Sequence, residues 1–124
     1  MSAVRPEIQV AIARLRDDLA ERLAAGEVAE LSERVAGSEL FLLALAGRTL
    51  APGDLVLCDA AGDPVPDTPG AGAWTSAAHA HAALYAAHPD VAAIARTGSD
   101  AAPVYRTGPD ARTALGAPTT SRAD

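Results

Sequence analysis

The sequence predicts an α/β domain, with helices packed on a small mixed or antiparallel sheet, and three stretches carry that prediction. Residues 6 to 26 repeat apolar side chains at helical spacing. Residues 39 to 45 and 55 to 58 are short apolar runs bounded by turn-forming residues, which suits buried strands. Residues 75 to 96 read as one helix, one sharp stop and one covered strand.

In the first stretch Pro6 suits an opening helical turn. Ile8, Ile12, Leu15, Leu19 and Leu23 follow at steps of three and four, with Arg14, Arg16, Asp17, Asp18, Glu21 and Arg22 on the remaining surface. The helix should end near Gly26. Its apolar stripe is narrow and its polar face carries both signs, so it is expected to pack on a sheet rather than lie on a membrane.

Glu39 to Leu45 is expected as a buried strand and Ala46-Gly47-Arg48-Thr49 as a turn. Pro52-Gly53 turns the chain into a second strand over Leu55 to Cys58. Cys58 on that strand is expected as a small buried hydrophobe and not a nucleophile. Ala60 to Asp63 reads as a hairpin turn into Pro64-Val65-Pro66, an edge marked by its prolines, and Asp67 to Ala73 as a flexible connection. Thr75 or Ser76 is placed to cap the next helix, Pro89 forbids its continuation, and Val91 to Ala95 forms the strand that follows. Beyond Tyr105 there is no apolar period and many breakers. One domain is therefore expected over residues 1–105, with a disordered tail over 106–124.

With 124 residues and a net charge of −6, the chain should have no general attraction for nucleic acid or an anionic membrane. All ten basic residues are arginine, which together with the alanine content looks like coding bias. No long apolar run and no leader pattern is present, so a cytoplasmic location is expected. The single Cys58 cannot form an internal disulfide, in keeping with a reducing compartment.

His81-Ala82-Ala83-Leu84-Tyr85, His88-Pro89-Asp90-Val91 and Leu50-Ala51-Pro52-Gly53-Asp54-Leu55-Val56-Leu57-Cys58-Asp59 resemble, in order and spacing, segments of the class II aldolase/adducin family. Leu31, Ser32 and Arg34 match its Gly-Asn-Ile-Ser-x-Arg segment. The resemblance covers about residues 7 to 105 and implies a reduced class II aldolase/adducin-like fold, lacking the later strands that complete the sheet. It also implies that the chemistry has changed. The family's catalytic Glu falls on Ala77, and its two metal-binding His residues fall on Arg96 and Gly98. The Asn that helps hold a substrate phosphate falls on Glu30, whose carboxylate would repel it by about 4 kcal/mol at about 4 Å in an intermediate dielectric. A phosphate-contacting Ser falls on Ala46, while Gly47, Thr75 and Ser76 are kept. Glu30, Gly47, Thr75, Ser76 and Arg96 are thus the remnant ligand pocket that the resemblance implies, and the coincident substitutions at Glu30 and Arg96 leave two readings open: a structural ion pair in place of the lost cation, or two solvated side chains.

The residues by themselves offer little other chemistry. His79 and His81 lie about 200° apart around a helix, and His81 and His88 roughly 10 Å apart along it, so no pair among them should share one ion. No metal and no cofactor is expected. Ser76, His81, Tyr85 and Asp90 are the candidates for acid–base work. The reading that follows is a catalytically degenerate domain acting as a binding or assembly module, for which adducin is the family's precedent. The alternatives are a divergent lyase or isomerase for a small hydroxycarbonyl or sugar-derived substrate, and a truncated relic. An incomplete sheet predicts a homo-oligomer or a protein partner that completes it, beside any small-molecule ligand.

Overall fold

The computed structural model describes residues 6–25, 29–45, 55–66, 68, 76–99 and 102–114. The elements are α1 (Pro6–Ala25), β1 (Glu30–Arg34), β2 (Phe41–Leu45), β3 (Val56–Cys58), α2 (Ala77–Ala87), β4 (Ala93–Ser99), β5 (Ala102–Gly108) and α3 (Ala111–Ala114). The strands form one sheet in the order β3-β2-β1-β4-β5. Every pairing is antiparallel, which settles the open choice between a mixed and an antiparallel sheet.

Because successive strand residues point to opposite faces, each strand serves two cores. On one face Leu31, Val35, Leu42, Ala44, Leu57, Ala93 and Ala95 meet Ile8, Ile12 and Leu19 of α1 and Ala111 and Ala114 of α3. On the other, Phe41, Leu43, Leu45, Val56, Cys58 and Ile94 meet Ala78, Ala82 and Tyr85 of α2. The sheet is therefore the middle of three layers, and β1, at its centre, is covered on both sides.

Two departures in α1 and the tail have clear physical reasons. Arg16, expected on the polar face, falls four residues after Ile12 and three before Leu19, so it shares their stripe and is buried. Its Nη1 donates to the Leu55 carbonyl at 3.1 Å, and burial draws its pKa below the ordinary arginine value. The tail expected from residue 106 begins too early. Arg106, Thr107 and Gly108 pair with β4, and α3 then folds back on the sheet. Glu33 Oε1 accepts the Ala111 N–H at 3.1 Å and Asp110 Oδ1 accepts the Thr113 N–H at 2.8 Å, which satisfies orphan donors of this short turn. A four-residue helix has no apolar period to read, so only its contacts reveal it. The expected turn at 46–49, Pro52-Gly53, the connection near 69–73 and the end of the chain lie outside the described residues.

The turn after β3 follows its residues closely. Asp59 Oδ1 accepts the N–H groups of Ala61 and Asp63 at 2.9 and 3.0 Å, and Gly62 takes φ 90° between them. Pro64 then bridges to Cys58, as its place at an edge requires.

Candidate functional site

Three elements bring polar side chains together on the α2 face of the sheet. On β1 the alternation is polar on that side, with Glu30, Ser32 and Arg34, whereas Leu31, Glu33 and Val35 look the other way. On α2, Ala78, His81, Ala82 and Tyr85 recur at helical spacing and are buried against the sheet. On β4, Arg96 lies opposite Glu30 in register.

The result is a continuous buried chain of hydrogen bonds. Arg96 Nε donates to Glu30 Oε2 at 2.7 Å. Glu30 Oε1 lies 2.8 Å from His81 Nε2, and His81 Nδ1 lies 2.7 Å from Ser32 Oγ. Ser32 Oγ in turn lies 2.7 Å from the Tyr85 hydroxyl. Since an ionised carboxylate only accepts, His81 Nε2–H is the donor to Glu30. Ser32 then donates to Nδ1 and accepts from Tyr85, and each donor in the chain finds an acceptor. His81 is 0 % exposed and Ser32 is 0 % exposed, so water does not compete for these bonds.

The electrostatics follow from that enclosure. Burial alone pushes the Glu30 carboxyl upward, but the hydrogen bonds from His81 and Arg96 and the Arg96 charge outweigh it and hold it below its ordinary range. Burial raises the Tyr85 phenol despite the Ser32 hydrogen bond and the nearby Arg34 cation. Burial likewise pushes the Cys58 thiol up to about 12, so it is an inert core residue.

Arg34 seals the far end of this chain. Its Nε donates to the Val91 carbonyl at 2.8 Å and its Nη2 to the Tyr85 carbonyl at 2.9 Å, while the guanidinium carbon stands 4.5 Å from the Tyr85 ring centre. A cation on the last carbonyls of a helix also suits the helix dipole. The near end is flanked by Tyr105 of β5, opposite Arg96 in register, whose ring meets His81 edge-on at 6.0 Å.

The candidates named from the sequence separate into two groups. Glu30, His81, Tyr85 and Arg96 come together in the chain just described. Ser76 and Asp90 do not. Ser76 is exposed at the start of α2, in a helical conformation and with no side-chain capping bond, which corrects the capping role expected of it. Asp90 is exposed in the turn after α2 and makes no hydrogen bond or ion pair among the described residues. Gly47 and Thr75 lie outside the described residues. Ser32, Arg34 and Tyr105 were not singled out as site residues. The polar alternation at 30, 32 and 34 was the available signal, and it marks a face whose partner only the fold supplies.

The divalent metal that the family resemblance implies does not fit these residues. Arg96 occupies one of the expected ligand positions with a fixed positive charge, and Gly98 has no side chain to donate. Both nitrogens of His81 are engaged by Glu30 and Ser32. Among the described residues no three His, Cys, Asp or Glu side chains are grouped to hold an ion. His79 is turned away from His81, to the exposed Asp63 at 3.2 Å.

Comparisons with known proteins agree with this architecture. The family model described as Class II Aldolase and Adducin N-terminal domain matches residues 11–113. An aldolase II superfamily protein from Pseudomonas syringae, known from a crystal structure, is similar with a TM-score of 0.54 and 28% identity. The match covers 78% of this chain and 42% of that one, so the present chain spans less than half of that protein's length. No curated protein sequence matches the chain. Among the described residues no helix is long and apolar enough to cross a membrane. The antiparallel sheet between α1 and α2, the matched residues and the structural likeness lead to one conclusion: the chain belongs to the class II aldolase and adducin N-terminal domain family.

Proposed function

We propose that this chain is a class II aldolase-like domain that works by binding and assembly, in the cytoplasm, and not by metal-dependent aldol cleavage. The observation that carries the reading is the Arg96–Glu30–His81 arrangement, in which a fixed guanidinium neutralises Glu30 and the imidazole is spent on internal hydrogen bonds. A guanidinium cannot be deprotonated under ordinary conditions and presents only donors, so it repels a metal ion and cannot ligate one. Ala77, at the position of the family's catalytic Glu, supplies no proton-transfer group. A lyase or isomerase would need His81 or Tyr85 to reach a substrate, yet both are buried and their polar atoms are already paired.

Metal content by plasma mass spectrometry, paired with aldol-cleavage and isomerase assays on the same untagged protein, tests this. The expected outcome is no turnover, and a trace metal level that His81→Ala leaves unchanged. About one zinc, manganese or iron per chain, lost in that variant, would return the family mechanism to the protein.

A further inference from the structure

We infer that the outer edge of β5 pairs with the same edge of a second copy, antiparallel about a two-fold axis at Tyr105, so that two sheets become one. This rests on the binding-and-assembly reading and names its partner.

The argument begins with which backbone groups face outward. The Arg96 carbonyl, inside β4, accepts the Ala29 N–H at 2.8 Å beside the β1 register pair Glu30–Arg96, so the even-numbered residues of β4 bond to β1; Ala92, just before the strand, is irregular, its carbonyl taken by Arg34 and its N–H donated to Gly108. The odd-numbered ones, Ala93, Ala95 and Thr97, therefore bond to Gly108, Arg106 and Val104 of β5. That leaves Pro103, Tyr105 and Thr107 with their backbone groups on the free side, where no strand among the described residues pairs with them. Val104, 52% exposed, is one of two exposed large hydrophobics among the described residues and lies on this edge strand.

Proline and charge then select the register. With the axis at Tyr105, the two Tyr105 backbones exchange both of their bonds, and each Thr107 N–H donates to the Pro103 carbonyl of the other copy. The donor that Pro103 lacks costs only the reciprocal bond. Moving the axis by one residue toward Pro103 removes half of the bonds. Moving it by one residue toward Arg106 keeps as many but sets the two Arg106 side chains directly opposite each other, a like-charge pair that disfavours that register. With the axis at Tyr105, Arg106 instead faces Val104 of the other copy, so its aliphatic stem covers an exposed valine. A short edge buries less than a standard interface, so the dimer is weak and concentration-dependent.

Sedimentation of the full chain over a wide concentration range, with three variants, tests the pairing. Wild type is expected to dimerise reversibly. Val104→Glu places a carboxylate opposite Arg106 twice per dimer and should tighten association roughly 2- to 30-fold, and Val104→Lys should weaken it comparably. Thr107→Pro removes an outward donor without touching the β4 pairing and should abolish the dimer while circular dichroism and Tm stay close to wild type. A wild-type monomer at all concentrations overturns the inference. So does a dimer indifferent to Thr107→Pro, or one that both Val104 substitutions affect alike. Aldol-cleavage activity in the same samples would sink the non-enzymatic reading and leave the edge pairing to be judged by sedimentation alone.

Discussion

Glu30 and Arg96 face each other across the β1–β4 pairing, with Arg96 Nε 2.7 Å from Glu30 Oε2 and both side chains about nine-tenths buried. A pair so enclosed gains from its mutual attraction and loses by desolvation, and the two are of similar size. What the geometry secures is that neither charge stands alone.

The first prediction concerns that coupling. Glu30→Ala or Arg96→Ala alone leaves the partner buried without its counter-charge and should cost about 3–5 kcal/mol. The double variant should cost less than the sum by about 0.5–3 kcal/mol. Urea unfolding of the four proteins measures this, and strictly additive losses would show that the two residues do not act as a unit.

Two glutamates on β1 should give opposite pH dependences. Glu30 is held below its ordinary value of 4.5 by its hydrogen bonds and the Arg96 charge, against the upward push of burial. Its contribution is therefore full above the unfolded carboxyl pKa and is lost as pH falls through the lower folded value. Glu33 is raised above 4.5, by burial first and then by Asp18 and Asp110, against the Ala111 N–H and Arg22. Its contribution is full below the unfolded pKa and is lost as pH rises through the higher folded value. Glu33→Gln keeps an acceptor for the Ala111 N–H and removes the desolvated charge, so at neutral pH it should stabilise by up to about 1 kcal/mol. Stability against pH for wild type, Glu30→Gln and Glu33→Gln checks the two signs, and parallel curves would contradict them.

Ser32 is the link whose loss should matter more than its size suggests. Ser32→Ala strands both the Tyr85 hydroxyl and His81 Nδ1 in a dry layer and should cost about 1–3 kcal/mol. Tyr85→Phe removes one donor, leaves the Ser32–His81 bond in place and should cost about 0.5–1.5 kcal/mol. Denaturant midpoints that rank the two in the reverse order would place the weight on Tyr85 instead.

Gly62 should not tolerate a side chain. Its φ of 90° disfavours L-residues, and an added Cβ would stand 2.9 Å from the Ala78 carbonyl oxygen and 2.8 Å from His79 Cδ2. Gly62→Ala should destabilise by about 1–3 kcal/mol. Thermal unfolding measures it, and an unchanged Tm would mean that this turn does not press on α2 as described.

Much of this was readable before any coordinates. The stripe from Ile8 to Leu19, the apolar runs of β2 and β3, and the stop at His88-Pro89 each follow from residue periodicity and local backbone chemistry, which act over a few neighbours. The family frame was legible for the same reason, since its motifs are contiguous. Arg16 escapes such a reading because its charge hides its place on the stripe, and α3 because a single turn offers no period.

The sequence by itself determined α1, α2, the strands β2, β3 and β4 and the family frame, because each rests on contiguous residues. Only the tertiary structure decided that Glu30, Ser32 and Arg34 meet α2, that His81 bridges Glu30 and Ser32, and that Tyr105 flanks them. Periodicity tells which side chains share a face, but the register between strands distant in the chain and the seating of a helix on them are set by packing the two cores at once.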